Sequence, residues 1–266
     1  MFVRNDLTAL TLEGPDTQRF LQGQLTCDVN ALAPGQSVWG GCCTPKGRLV
    51  ATFLLARTGE HQFVLVVPDS MTDLLQAHLN KYRVFFKTNW QTTTWNLVCT
   101  DADTQPPASG TSLPAPGGWS QCLQAANGLP EVPEDVLARL QVAEIRAGFP
   151  VILPATTELF LPQAVGLDHL GGVSFSKGCY TGQEVVARAR YRGKVKKALY
   201  VLQTDAPCDP GARIAGDRDE AWGTVLRSAE ADGITWTQAV LDRPPEGVAL
   251  RAGNARVIDC QPAPGQ

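Results

Sequence analysis

Residues 171–197 read GGVSFSKGCYTGQEVVARARYRGKVKK. Thr181-Gly182-Gln183-Glu184 has the spacing of a capping box, in which the Thr181 hydroxyl accepts from the Glu184 backbone N–H and the Glu184 carboxylate reaches back. Val185, Val186 and Ala187 continue a helix. Cys179 therefore falls about two residues ahead of a helix N-terminus, where unpaired N–H groups and the dipole favour a thiolate. Lys177 adds positive charge, Glu184 opposes it, and Gly178 and Gly182 allow tight backbone around the sulfur. The competing reading is a small buried cysteine, since Cys is among the most buried residue types. Further on, Arg188, Arg190, Arg192, Lys194 and Lys196 alternate, with Lys197 beside them. In an extended chain all five share one face; in a helix they fan around the axis. A solvated face and an anion-binding patch are both open for them.

Outward from this stretch, the N-terminal side mixes strands and helices. Thr8–Leu12 reads as a strand, Gly14-Pro15-Asp16 breaks it, and a short helix carrying Phe20 and Leu21 follows. Val38–Cys43 and Leu49–Ala56 are apolar runs around Thr44-Pro45-Lys46-Gly47, a hairpin. Cys42 and Cys43, adjacent in a strand, face opposite ways and make a poor chelating pair. Phe63–Val67 is another strand, and Asp69-Ser70 offers an N-cap for a helix to about Lys81, with His78 as a packed helix residue. Leu97–Thr100 is a short strand. Asp101–Ser120, with its Pro, Gly and Ser clusters, reads as a loop or linker. Pro133-Glu134-Asp135 opens a strong helix with a Val136, Leu137, Leu140, Ala143, Ile145 stripe, closed by Gly148-Phe149-Pro150. Beyond about Lys194 the texture becomes all β: Leu199–Leu202, Trp222–Leu226, Ile234–Leu241 and Ala255–Ile258. Turn signals separate these runs, Pro244–Gly247 among them, which predicts a small antiparallel barrel or sandwich. The class is α+β, divided into an α+β region over 1–194 and a β domain over 195–266.

Composition narrows function. The chain has 266 residues, 23 Lys and Arg against 26 Asp and Glu, and a net charge of −3. That weighs against a surface given over to nucleic acid but leaves room for a local basic patch. Gly 25 and Pro 19 favour turns and short strands over a helical bundle. The start of the sequence has no basic region followed by an apolar stretch, and no segment reaches the length of a membrane helix. Eight cysteines in such a chain read as free thiols, and none forms C-x-x-C. With only three histidines, the sequence supports no metal site. A soluble, reduced, cytoplasmic protein without a membrane partner is the expectation.

Lys177-Gly178-Cys179-Tyr180-Thr181-Gly182-Gln183-Glu184 resembles the signature of the YgfZ family, folate-binding relatives of the glycine-cleavage aminomethyltransferase. Flanking stretches agree: Phe160–Gln163, Leu170–Phe175, Val186–Arg190 and Arg192-Gly193. So do Gly14–Asp16, Phe20–Thr26, Pro45–Arg48 and Ala147–Pro150 upstream, all in family order. The resemblance implies aminomethyltransferase-like lobes around a central hole that holds tetrahydrofolate, closed by a C-terminal antiparallel β-barrel. It implies support for the assembly or repair of iron–sulfur clusters in client enzymes, some of them tRNA-thiolating, so that contact with tRNA is indirect. Cys179 inherits the role of the motif cysteine, with Lys177 and Glu184 beside it. Lys46, Arg48, Tyr180 and Gln183 are assigned to the folate, Lys46 and Arg48 because Arg grips carboxylates bidentately. Arg190 and Arg192 are assigned to its polyglutamate tail, because their segment follows the motif and so should border the hole. Family members that bind folate can carry tryptophans lining that hole. The matching positions here are Leu7 and Leu140, while Trp39, Trp90, Trp95 and Trp119 lie elsewhere in the sequence. Two readings compete with a folate-binding accessory protein: a folate-dependent one-carbon transferase, and an RNA-binding module working through Arg188–Lys197.

Overall fold

Hydrophobic runs too long for one-sided burial organise the N-terminal half. In the computed structural model, which describes residues 1–91, 95–101, 104, 110–125, 128–193, 196–242 and 248–265, they form the middle of a sheet. The chain begins with β1 (Phe2–Val3), β2 (Leu7–Glu13) and α1 (Thr17–Gln24). It continues through β3 (Ser37–Cys43), β4 (Leu49–Arg57), β5 (Gln62–Pro68), α2 (Thr72–Arg83) and β6 (Asn89–Gln91). These strands pair in the order β3-β4-β5-β2-β6. Leu49 to Ala56 of β4 are buried without interruption, as a strand covered on both faces requires. Phe20 and Leu21 anchor α1 in that core, as expected, and the predicted hairpin is β3–β4. Register shifts between Cys42 and Cys43, and both thiols are buried.

A second sheet follows, from β7 (Asn96–Asp101), β8 (Thr111–Leu113) and β9 (Trp119–Gln124), in the order β1-β7-β9-β8. It corrects the reading of 101–120 as a loop throughout. Thr111 and Leu113 are buried, Leu113 in the main core, and the strand is too short for its pattern to emerge from the surrounding Pro and Gly. Residues 105–109 lie outside the described part. The helix α3 (Glu134–Arg146) starts and stops where its Pro133 and Gly148 signals place it, Gly148 adopting φ +75° to end it.

The helix α4 spans Gln183–Arg192. Beyond it come β10 (Lys197–Thr204), β11 (Arg213–Ala215), β12 (Ala221–Ala231), β13 (Ile234–Asp242), β14 (Arg251–Ala252) and β15 (Ala255–Pro262). They close into a barrel, β10-β13-β12-β11-β14-β15, so the barrel alternative holds over the sandwich. The predicted turn at Pro244–Gly247 lies outside the described residues. One barrel face supplies its own core around Leu202, Val225 and Leu241, while Leu199, Leu226 and Val240 join the core of the first half. The barrel is therefore docked on the α+β part by continuous apolar packing. Among the described residues no helix is long and apolar enough to cross a membrane.

Candidate functional site

Two stretches far apart in sequence build the region around Cys179. The Ser174 N–H donates to the Thr26 carbonyl (2.9 Å), and the Thr26 hydroxyl donates to the Gly172 carbonyl (2.6 Å) while accepting from the Gly41 N–H. The Lys177 ammonium donates to the carbonyls of Leu25 and Cys27, both at 2.7 Å, and sits 5.1 Å from the Tyr180 ring centroid. The Thr181 N–H donates to the Gly23 carbonyl, and the Thr181 hydroxyl donates to Gln24 Oε1, both at 3.1 Å. Residues 23–27 and 172–181 are thus one piece of structure. They follow a helix end, where backbone carbonyls need outside donors.

This geometry corrects the sequence reading twice. Gly182, at φ +85°, is the N-cap of α4, and among the described residues no side chain caps the helix. The expected Thr181–Glu184 box is absent because the helix starts one residue later, at Gly182; the Thr181 hydroxyl donates to Gln24 and Glu184 stands exposed in the first turn. Lys177 is buried and turned inward to two carbonyls, where it clamps the loop. Burial pushes its pKa down to about 8, against the pull of Cys27 and Asp28. Burial also pushes the Tyr180 hydroxyl up. Between these two buried side chains Gly178 and Cys179 are exposed, so the thiol stands at the tip of a clamped loop.

The β3–β4 turn packs against the same loop. A Cβ on Gly182 would lie 2.5 Å from the Thr44 carbonyl oxygen, and one on Gly47 would lie 2.9 Å from Val185 Cβ, so only glycines allow this approach. Lys46 and Arg48 are exposed beside α4, with Arg48 donating to the Leu159 carbonyl at 2.8 Å. Gln183 opens α4, half-buried. The basic run is helical as far as Arg192, the second of the two alternatives, which places Arg190 about 200° around the axis from Arg188. Arg190 lies 4.3 Å over the Phe175 ring and 3.7 Å from Asp168. Lys194 and the Arg192 side chain lie outside the described part.

A separate cavity of about 420 Å³ opens where the sheets, α3 and the barrel meet. Leu7, Trp39, Phe53 and Phe149 line it, with Trp39 and Phe149 edge to face at 5.1 Å. Its polar wall is a buried charge network. Arg4 bridges Asp6 and Glu144, Arg227 donates to Glu144 Oε2 at 3.1 Å and to the Phe149 carbonyl at 2.9 Å, and Gln141 donates to Asp6. Arg227 Nε is buried and has no hydrogen-bond partner among the described residues. Burial raises the Glu144 pKa, but the guanidinium groups of Arg4 and Arg227 more than reverse this and hold it below the usual range. Burial likewise raises Asp6, and its bonds to Arg4 bring it down. Both carboxylates are therefore ionised acceptors at neutral pH.

None of Lys46, Arg48, Tyr180, Gln183 and Arg190 lines this cavity. Leu7 does line it, whereas Leu140 is buried against Cys99 and Val132. Sequence position concealed Trp39, which brings an indole to the cavity from β3. It also concealed Arg4, Asp6, Glu144 and Arg227. The one available signal was Glu144, a carboxylate four residues after Leu140 on the buried stripe of α3.

Residues 2–100 match the GCVT N-terminal domain family. The glycine cleavage system aminomethyltransferase T from Bartonella henselae superposes with a TM-score of 0.71 at 15% identity, over 98% of this chain and 84% of that one. The fold is thus that of the aminomethyltransferases, with a closed C-terminal barrel. A "tRNA-modifying protein YgfZ" from Serratia proteamaculans is 35% identical over 273 residues, covering 89% of this chain and 82% of the relative. Its counterpart from Yersinia pestis (strain Pestoides F) is 33% identical over 90% of this chain and 83% of the relative. The chain belongs to the YgfZ family.

Two measurements check this site. Burial pushes the thiols of Cys27, Cys42, Cys99 and Cys122 up, while Cys179 is exposed. Iodoacetamide at neutral pH should modify Cys179 at least about ten-fold faster than Cys99 or Cys122, as mass spectrometry of timed samples will read. Equal rates would contradict an exposed, accessible thiol. The second concerns Glu144, whose carboxyl in the folded protein titrates below its ordinary value of 4.5. Its stabilisation is complete above that value and is lost as pH falls through the folded one. Glu144→Gln should cost about 3–5 kcal/mol at pH 7, because two arginines lose a buried partner, and should flatten the acid limb of the stability curve. Parallel curves for the two proteins, from urea melts across pH, would contradict the network.

Proposed function

We infer that this chain is a reduced-folate-binding accessory protein that supports iron–sulfur enzymes, including those that modify tRNA. The observation that carries the folate part is the cavity, which joins two aromatic side chains to a buried wall of ionised carboxylates and arginines. A pterin is a flat ring whose edge presents an amino group and a ring N–H. Trp39 and Phe149 offer apolar ring surface to its plane, and Asp6 or Glu144 accepts from its donors. The unpartnered Arg227 Nε is a donor left over for a ligand acceptor. When bound, the folate would supply one-carbon chemistry, and the chain's residues would bind and orient it. The iron–sulfur part is supported by the family resemblance, and the tRNA part also by relatives named as tRNA-modifying proteins. In this reading Cys179 is the exposed reactive group, on a face distinct from the cavity lining. The RNA-module reading built on Arg188–Lys197 has less support, since within α4 Arg190 turns away from Arg188.

Titration calorimetry with tetrahydrofolate tests the cavity assignment. Trp39→Leu should weaken binding about ten-fold by removing the indole, and Arg48→Ala should leave the affinity as it is. Loss at Arg48 with Trp39→Leu unaffected would move the ligand to the motif face and overturn the assignment.

A further inference from the structure

Outside both regions, the turn after α2 carries the run Lys81-Tyr82-Arg83-Val84-Phe85-Phe86-Lys87. Most of the chain buries its large apolar side chains; here Phe85 is 82% and Val84 74% exposed. The neighbouring ring, Phe86, is half-buried against Phe20, with the Arg19 guanidinium 5.1 Å from its centroid. The turn therefore holds one ring inward and presents the next to solvent. The backbone is fixed from both sides: the Lys87 N–H donates to Asp16 Oδ2, and a Cβ on Gly14 would collide with the Lys87 carbonyl.

The charge around Phe85 is one-sided. Arg83 spends its donors on neutral acceptors, the Thr88 carbonyl and the side chains of Asn80 and Asn89. Among the described residues neither Lys81 nor Lys87 has an ion-pair partner. The nearby carboxylates are occupied, Asp16 by Arg19 and the Lys87 N–H, and Glu13 by Gln62. The carbonyls ending α2 account for cations in its last turn, Lys81 and Arg83. They account neither for Lys87 nor for an exposed phenyl ring beside it. In a chain of net charge −3 this concentration of cations is local.

An exposed ring framed by unpaired cations matches a polyanion that carries flat rings, because stacking takes the base and the cations take the phosphates. We propose that the Lys81–Lys87 turn is a contact surface for an unpaired segment of RNA, with Phe85 stacking on a base and Lys81 and Lys87 meeting the flanking phosphates. A single projecting ring suits one base better than an extended apolar partner surface. This contact is direct and needs neither the folate cavity nor the Cys179 loop.

The test uses the full chain and a fluorescein-labelled single-stranded RNA of about twelve nucleotides, followed by anisotropy over a range of salt. Phe85→Ala should weaken binding about ten-fold, the loss of one stacked base. Lys81→Ala with Lys87→Ala should weaken it further and reduce the slope of log affinity against log salt by about 1.4. Phe85 and both lysines are exposed, so circular dichroism should show each variant folded. Tetrahydrofolate titration of the same proteins is a separate readout, and failure there leaves the RNA result standing. Affinity unchanged in both variants would overturn the proposal. So would binding to vesicles of phosphatidylcholine and phosphatidylglycerol that Phe85→Ala abolishes while the RNA affinity stays constant, which would mark a membrane contact instead.

Discussion

One buried carboxylate, Glu144, holds three distant parts of this molecule in register. It accepts from Arg4, between β1 and β2, and from Arg227 in the barrel strand β12, while itself belonging to α3. A buried ion pair is a poor source of net stability compared with apolar packing, because desolvation offsets most of the attraction. Its value here is geometric. Apolar contact between the barrel and the sheets tolerates small slides, but two guanidinium groups on one carboxylate do not. The same network forms the polar wall of the cavity, so the docking of the barrel and the shape of the cavity are set together.

The Cys179 loop follows a different logic. Lys177 is buried at a cost in solvation, and two backbone carbonyls and a tyrosine ring compensate it. That clamp, with the close approach of Gly47 and Gly182 to the neighbouring backbone, fixes a loop whose exposed residues are Gly178 and Cys179. The molecule therefore presents a walled cavity and an exposed thiol through two separate sets of residues. A binding step and a thiol step need not share an immediate environment.

Much of the fold was legible because period and punctuation agreed. The hairpin β3–β4, the helix α3 between Pro133 and Gly148, and the four longer barrel strands declare themselves locally, whereas β11 and β14, of three and two residues, do not. The strand β8 did not, because three residues among Pro and Gly carry no period and gain their structure from β9. Thr181 was misread as a cap because the helix starts one residue later, at a left-handed Gly182 packed against the Thr44 carbonyl, an approach that no local pattern contains. The motif cysteine was legible, and it is exposed. The cavity was not: Arg4, Asp6 and Arg227 look like ordinary surface charges in sequence, and only the topology brings them to Glu144. Trp39 was discounted for the same reason, since β3 reaches the cavity from a position that sequence order does not mark.

A crystal structure of the protein with tetrahydrofolate tests the central claim most directly. The account predicts the pterin within the cavity, in contact with Trp39 or Phe149 and with its amino edge within hydrogen-bonding distance of Asp6 or Glu144. Ligand found instead at the Lys46–Arg48 turn beside Cys179, with the cavity unfilled, would contradict it.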